Sequence, residues 1–164
     1  MLSATMHIIF IIIAALIIIG LILFFRRTRI ASDYLIKVSD IPDVLSQLQR
    51  TGKDGSFAIF IFVPPNSKDD EEINLQYSIE SGNIGLDWVL LGAANIADRD
   101  RVKVFASGLG HQLVEKEMNG VRYLRVTGPG ISELGMKIIL DFYHVPSETD
   151  LTMITEGFDW QRKQ

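Results

Sequence analysis

His111, Glu115 and Glu117 come nearest, by type and spacing, to a set that could do acid–base chemistry. Histidine exchanges a proton near neutral pH, and a neighbouring carboxylate can orient the ring or share the proton. Residues two apart on a strand share a face. Glu115 and Glu117, on either side of Lys116, therefore point one way, and His111 has the same parity. On that reading the chain is a small membrane-anchored hydrolase using His111 with Glu115 or Glu117. The competing reading is a wet sheet surface on which such charges are solvated. No G-x-S-x-G elbow supplies a nucleophile for the enzyme reading.

Other chemistries leave fewer traces. Neither His111 nor His144 has a second histidine or a cysteine at zinc-ligand spacing, and His7 lies in the apolar amino-terminal stretch. The run Asp69-Asp70-Glu71-Glu72 lacks the alternating oxygen ligands and the glycine of a calcium loop, and reads as a solvated acidic loop. Gly108-Leu109-Gly110 and Gly128-Pro129-Gly130 extend neither to G-x-G-x-x-G nor to a Gly-Lys-Ser/Thr phosphate loop, so they read as a helix end and a turn. The chain has no cysteine, which removes disulfides, thiol nucleophiles and thiolate metal sites. The expectation is a chain with no metal, no cofactor and no catalytic set.

Two features point to a partner instead. Residues 57–63 are apolar at every position, so Phe57, Ile59, Ile61 and Val63 face one way and Ala58, Phe60 and Phe62 the other. With helices on one face only, Phe60 and Phe62 would be exposed, covered either by the chain's own tail or a helix, or by a partner. Phe158 and Trp160 lie close to the carboxyl terminus, where they would either anchor the tail or mark a docking edge. Phe60, Phe62, Phe158 and Trp160 are thus the candidate partner-binding residues.

The elements that must position these residues follow from periodicity. Ile41, Val44, Leu45 and Leu48 repeat as one helical face after Asp40 and Pro42, giving a helix over 40–50 that Gly52 ends. Strands follow at 57–63, stopped by Pro64-Pro65, at 73–80 with Ile73, Leu75, Tyr77 and Ile79 inward, and at 84–90 with Ile84, Leu86, Trp88 and Leu90 inward. Asn95 with Asp98 signals a second helix, with Val102, Phe105, Ala106 and Leu109 on its apolar face. Asn119-Gly120 is a type I′ turn signal joining arms over 112–118 and 121–127. A third helix spans about 131–143, and residues 151–160 form either a last strand or a docked extended segment. The order is α-β-β-β-α-β-β-α, an α+β fold on an antiparallel sheet.

Residues 1–25 contain no Asp, Glu, Lys or Arg, and Ile8 to Phe25 is almost wholly aliphatic and aromatic. About 20 helical residues cross a bilayer core, so residues 7–25 are expected to enter the membrane as a single span. Arg26, Arg27 and Arg29 follow the run, which argues for a retained anchor over a cleaved signal. Positive flanks stay inside, placing the amino terminus outside and the carboxyl-terminal domain in the cytoplasm. Residues 1–29 hold three of the 16 basic residues and none of the 20 acids, so the remainder carries a net charge of −7. Nucleic acid is not an expected partner of so acidic a domain. The expected layout is an anchor over 1–29, a linker over 30–39 and a soluble domain over 40–164.

The order of elements resembles that of the type III secretion chaperones and related small bacterial chaperone-like domains. The helix at Asp40, the strands at Phe57, Ile73 and Ile84, the helix at Asn95, the Asn119-Gly120 hairpin and the helix at Ile131 carry the resemblance. It implies a peptide- or protein-binding module with no catalytic residues to carry over. Those chaperones are usually soluble acidic dimers, and the anchor is a departure from them. The expectation is a membrane-tethered, non-enzymatic binding module of chaperone, assembly or immunity type.

Overall fold

A computed structural model of the chain describes residues 32–65, 67 and 71–161. The anchor expected over 7–25, its flank of Arg26, Arg27 and Arg29, and Asp69 and Asp70 of the acidic run lie outside the described residues. Among the described residues no helix is long and apolar enough to cross a membrane.

One antiparallel sheet of seven strands carries the fold, in the order β1-β7-β2-β3-β4-β6-β5. The strands are β1 (Ser32–Lys37), β2 (Phe57–Phe62), β3 (Ile73–Glu80), β4 (Asn83–Val89), β5 (Val114–Met118), β6 (Val121–Thr127) and β7 (Asp150–Glu156). Helices α1 (Ile41–Thr51), α2 (Ala93–Ala97), α3 (Arg99–Gly108) and α4 (Ile131–Lys137) connect them, and α4 runs on into a π turn over Ile138–Phe142. The mixed architecture on an antiparallel sheet agrees with the sequence. The order does not, because a strand is added at each end of the described chain.

The first of these strands corrects the reading of residues 30–39, and the second takes the strand alternative for the tail. Residues 30–39 are not merely a linker: Ser32–Lys37 is an edge strand, followed by a 3-10 turn over Val38–Asp40. The tail supplies β7, which sits inside the sheet, pairing β1 on one side (Ser32↔Thr155) and β2 on the other (Phe57↔Glu156). Asp40 is the N-cap of α1, where the sequence places the helix start, and its carboxylate accepts the Lys37 amide at 2.9 Å, closing the turn that precedes the helix.

The core lies on one face of the sheet. Register pairs Phe60 with Leu75 and with Met153, and Ala58 with Tyr77, so these side chains point together towards the helices. Ile41, Val44 and Leu48 of α1 and Leu134 of α4, with Ile138 of the π turn, complete that layer, all at 0 or 1 % exposure. Burial of this apolar surface, at about 25 cal/mol per Å², is the main stabilising term.

Asn95 shows how a helix is fixed to the sheet. It falls inside α2, not at its start, and is buried. Its amide donates to the Asn74 carbonyl at 2.8 Å and accepts the Asn74 N–H at 3.1 Å, standing in for a strand partner where β4 does not reach. Its own carbonyl receives the Trp88 indole N–H at 2.9 Å. Asn95→Ala should therefore cost about 2 kcal/mol, since two backbone groups of Asn74 lose their partner. Urea unfolding of the full chain in detergent micelles, followed by tryptophan fluorescence, measures it: both tryptophans, Trp88 and Trp160, are buried in this domain.

Candidate functional site

The four candidate partner-binding aromatics are all core residues. Phe60 and Phe62 lie on the helix-covered face, with Phe60 edge-on to Tyr77 and Phe62 edge-on to Tyr143. An all-apolar strand does not declare its inward side, and here the pairing with Leu75 and Ile73 turns the even-numbered residues inward. Phe158 and Trp160 are buried too, at 9 % and 8 % exposure, and they anchor the tail. Gln47 of α1 holds that segment by donating to the Asp159 carbonyl at 2.5 Å.

His111 and the two glutamates are not brought together as a proton-transfer set. β5 begins at Val114, so strand parity does not extend back to His111, whose ring lies beside Gly130. Glu115 is engaged by Arg99 at 2.6 Å and by Arg122 at 3.4 Å. Glu117 sits exposed opposite Arg122 on the edge hairpin. Among the described residues no three His, Cys, Asp or Glu side chains are grouped to hold a metal ion.

The face opposite the helices is where unusual residues collect. Its central ladder row runs Asp33–Ile154–Ile59–Gln76–Asp87–Arg125–Val114 across all seven strands. The next row places Leu35, Thr152, Ile61 and Asn74 side by side, and Phe57 stands beside Glu156 and Ser78 on the other flank. Phe57, Ile59, Ile61 and Ile154 are half-buried although no described helix lies over them, and Leu35 is 69 % exposed. An open antiparallel face is ordinarily polar. This one carries an apolar stripe along β2, where Phe57, Ile59 and Ile61 are joined by Ile154 and Leu35, with Thr152 among them and Asp33, Lys37, Asp150 and Glu156 around it.

Towards β4 and β6 the same face changes character. Arg125 is only 3 % exposed, and its guanidinium meets Asp87 at 2.6 and 2.8 Å, the Ser78 hydroxyl at 2.9 Å and the carbonyls of Ser78 and Asn83 at 3.1 and 3.2 Å. The Ser78 hydroxyl donates in turn to Asp87 at 2.5 Å. Glu80 closes the cluster, 3.3 Å from Arg125, accepting Lys116 at 2.8 Å and the Tyr123 hydroxyl at 2.7 Å. A buried ion pair stays ionised only when its remaining donors and acceptors are met in this way. The guanidinium lies flat on the backbone of Gly85, where an added Cβ would come within 2.5 Å of Arg125 Cζ. Only glycine fits there.

The two carboxylates are driven apart electrostatically. Burial pushes Asp87 up to about 6, against the pull of the Ser78 hydroxyl and Arg125. Burial also acts to raise Glu80, but hydrogen bonds from Lys116 and Tyr123 and the Arg125 charge outweigh it and hold the group below the usual carboxylate range. Burial, with Glu80 as acceptor, moves the Tyr123 phenol up to about 12. Beside this cluster lies an open groove of about 770 Å3, lined by Phe57, Val89, Met118 and Val121 with Asp54, Glu80 and Asp87 among its polar residues. The signal that could have revealed the cluster is a glycine inside a strand with opposite charges, Asp87 and Arg125, at outward positions nearby.

Comparison with protein-family models, with curated proteins and with solved structures finds no match to this chain.

Proposed function

We propose that this chain is a membrane-tethered module that binds a protein or peptide at the cytoplasmic side of the membrane and works by binding, not by catalysis. The observation that carries the reading is the face of the sheet that no described helix covers, where Phe57, Ile59, Ile61 and Ile154 keep outward positions apolar beside a groove. Contiguous apolar surface on a folded domain is a mark of an interaction site. The tether is supported by the uncharged stretch over 1–25 and by Arg26, Arg27 and Arg29 after it, with only Ile30 and Ala31 between Arg29 and β1. Tethering confines the module to the bilayer surface and raises its effective concentration for a membrane-bound client, as a linked second site does. The resemblance to secretion chaperones supports the same class of role.

Crosslinking capture from native membranes tests it with three baits: the full chain, residues 1–29 alone, and the full chain carrying Ile59→Gln with Ile154→Gln. These two positions are half-buried and outside the core, so the double variant should stay folded. A partner held by the full chain and lost from both other baits is the expected result. A partner held equally by the anchor, or kept by the double variant, contradicts the proposal.

A further inference from the structure

Charge on the open face narrows the partner. Its basic side chains are already occupied: Lys37 by Asp150 at 2.9 Å, Lys116 by Glu80, and Arg125 by Asp87. Among the described residues its unanswered charges are negative. Asp33 and Glu156 stand on the two rows that frame Ile154, Ile59 and Phe57, and neither has a cationic partner among the described residues. Asp54, at the groove, accepts the Gly82 amide at 2.7 Å and likewise faces no cation among them. The face is therefore an apolar stripe with an acidic rim.

From this charge pattern, and resting on the binding reading above, we infer that the open face receives an apolar peptide segment flanked by Lys or Arg. Leu, Ile, Val or Phe side chains of the segment lie against Leu35, Ile154, Ile59, Ile61 and Phe57, and its cations meet Asp33, Glu156 and Asp54. Electrostatic complementarity of this kind sets partner choice more than it sets raw affinity. The same rim disfavours other occupants. A second copy would bring acid against acid, and an anionic bilayer surface would be repelled for the same reason.

The test uses the full chain in nanodiscs of zwitterionic lipid and a fluorescein-labelled nonapeptide of five Val or Leu residues with two Lys at each end, with empty nanodiscs as the blank. A second nonapeptide replaces every Lys by Glu. Fluorescence anisotropy should show the Lys peptide binding and the Glu peptide not. Asp33→Lys with Glu156→Lys should weaken the Lys peptide about tenfold, and Ile59→Gln about fivefold, with affinity falling as salt is raised. Equal binding of the two peptides, indifference to the charge reversal, or no binding of the Lys peptide each overturns the inference. So does sedimentation showing self-association lost on Ile59→Gln, which assigns the face to a second copy. A client captured through Ile59 and Ile154 that lacks a basic–apolar segment sinks this inference alone and leaves the binding reading standing.

Discussion

Arg125→Met should be the most damaging single substitution on the open face, at about 3–5 kcal/mol at pH 7.5. Removing the guanidinium leaves the Asp87 carboxyl, 1 % exposed, without the Arg125 Nη1 that meets both its oxygens. Two rescues follow from that cause. Adding Asp87→Asn removes the stranded carboxyl and should recover much of the loss. Acid should do the same, because protonation neutralises the carboxyl: Asp87 already sits near 6 with Arg125 present, and loses an ionising influence without it. The pH dependence of the native chain has a definite sign. A carboxyl whose pKa is higher folded than unfolded contributes stability that is present below its ordinary value, near 3.8, and is lost as pH rises through about 6. That shift corresponds to roughly 3 kcal/mol. Glu80, held low, contributes in the opposite sense: its stabilisation is present above its ordinary value of 4.5 and fades as pH falls through its lowered pKa. Asp87→Asn should abolish the fall in stability between pH 4 and pH 6 and leave the acid limb set by Glu80. Urea titrations across that range, read by tryptophan fluorescence, decide it.

The second large effect is on the helix side. Ala in place of a helical Gly ordinarily stabilises by up to about 1 kcal/mol. Gly135→Ala should instead destabilise by about 3 kcal/mol, because its Cβ would fall 1.8 Å from the Tyr77 hydroxyl and 2.9 Å from Cζ. Tyr77 cannot step aside. It is fully buried, packed edge-on to Phe60, and its hydroxyl donates to the Ile131 carbonyl at 2.9 Å. Either α4 lifts from the sheet or the phenol loses its bond. Pairing Gly135→Ala with Tyr77→Phe removes the closest atom of the clash, so the double variant should be more stable than Gly135→Ala alone. The same unfolding assay measures the sign.

What was legible in the sequence was what short-range pattern encodes. The i, i+3, i+4, i+7 spacing of Ile41, Val44, Leu45 and Leu48 became a helix with all four buried. The Asn119-Gly120 turn lies where its dipeptide requires, both residues at positive φ (52° and 80°). Alternation in β3 and β4 gave the correct inward set, including Tyr77 and Trp88. Long-range pairing was not legible. Ser32–Lys37 has little amphipathic signal of its own and is a strand because Thr155 and its neighbours pair with it from the far end of the chain. The inward side of β2 was silent because every residue is apolar, and the choice rests with β3 and β7. The Ser78–Asp87–Arg125 cluster draws one residue from each of three strands, so it exists only once the register is set. Composition exposes none of it, since Asp87 and Arg125 look like ordinary outward charges.

Photocrosslinking in native membranes tests the central claim most directly. A photoreactive phenylalanine analogue at position 57, on the open face, is compared with the same analogue at Val104, which is 73 % exposed on α3. Crosslinks to a discrete protein or peptide from position 57, with none from position 104, are the expected result. Equal crosslinking from the two positions, or crosslinks from position 57 to lipid alone, would contradict the assignment of this face as the binding surface.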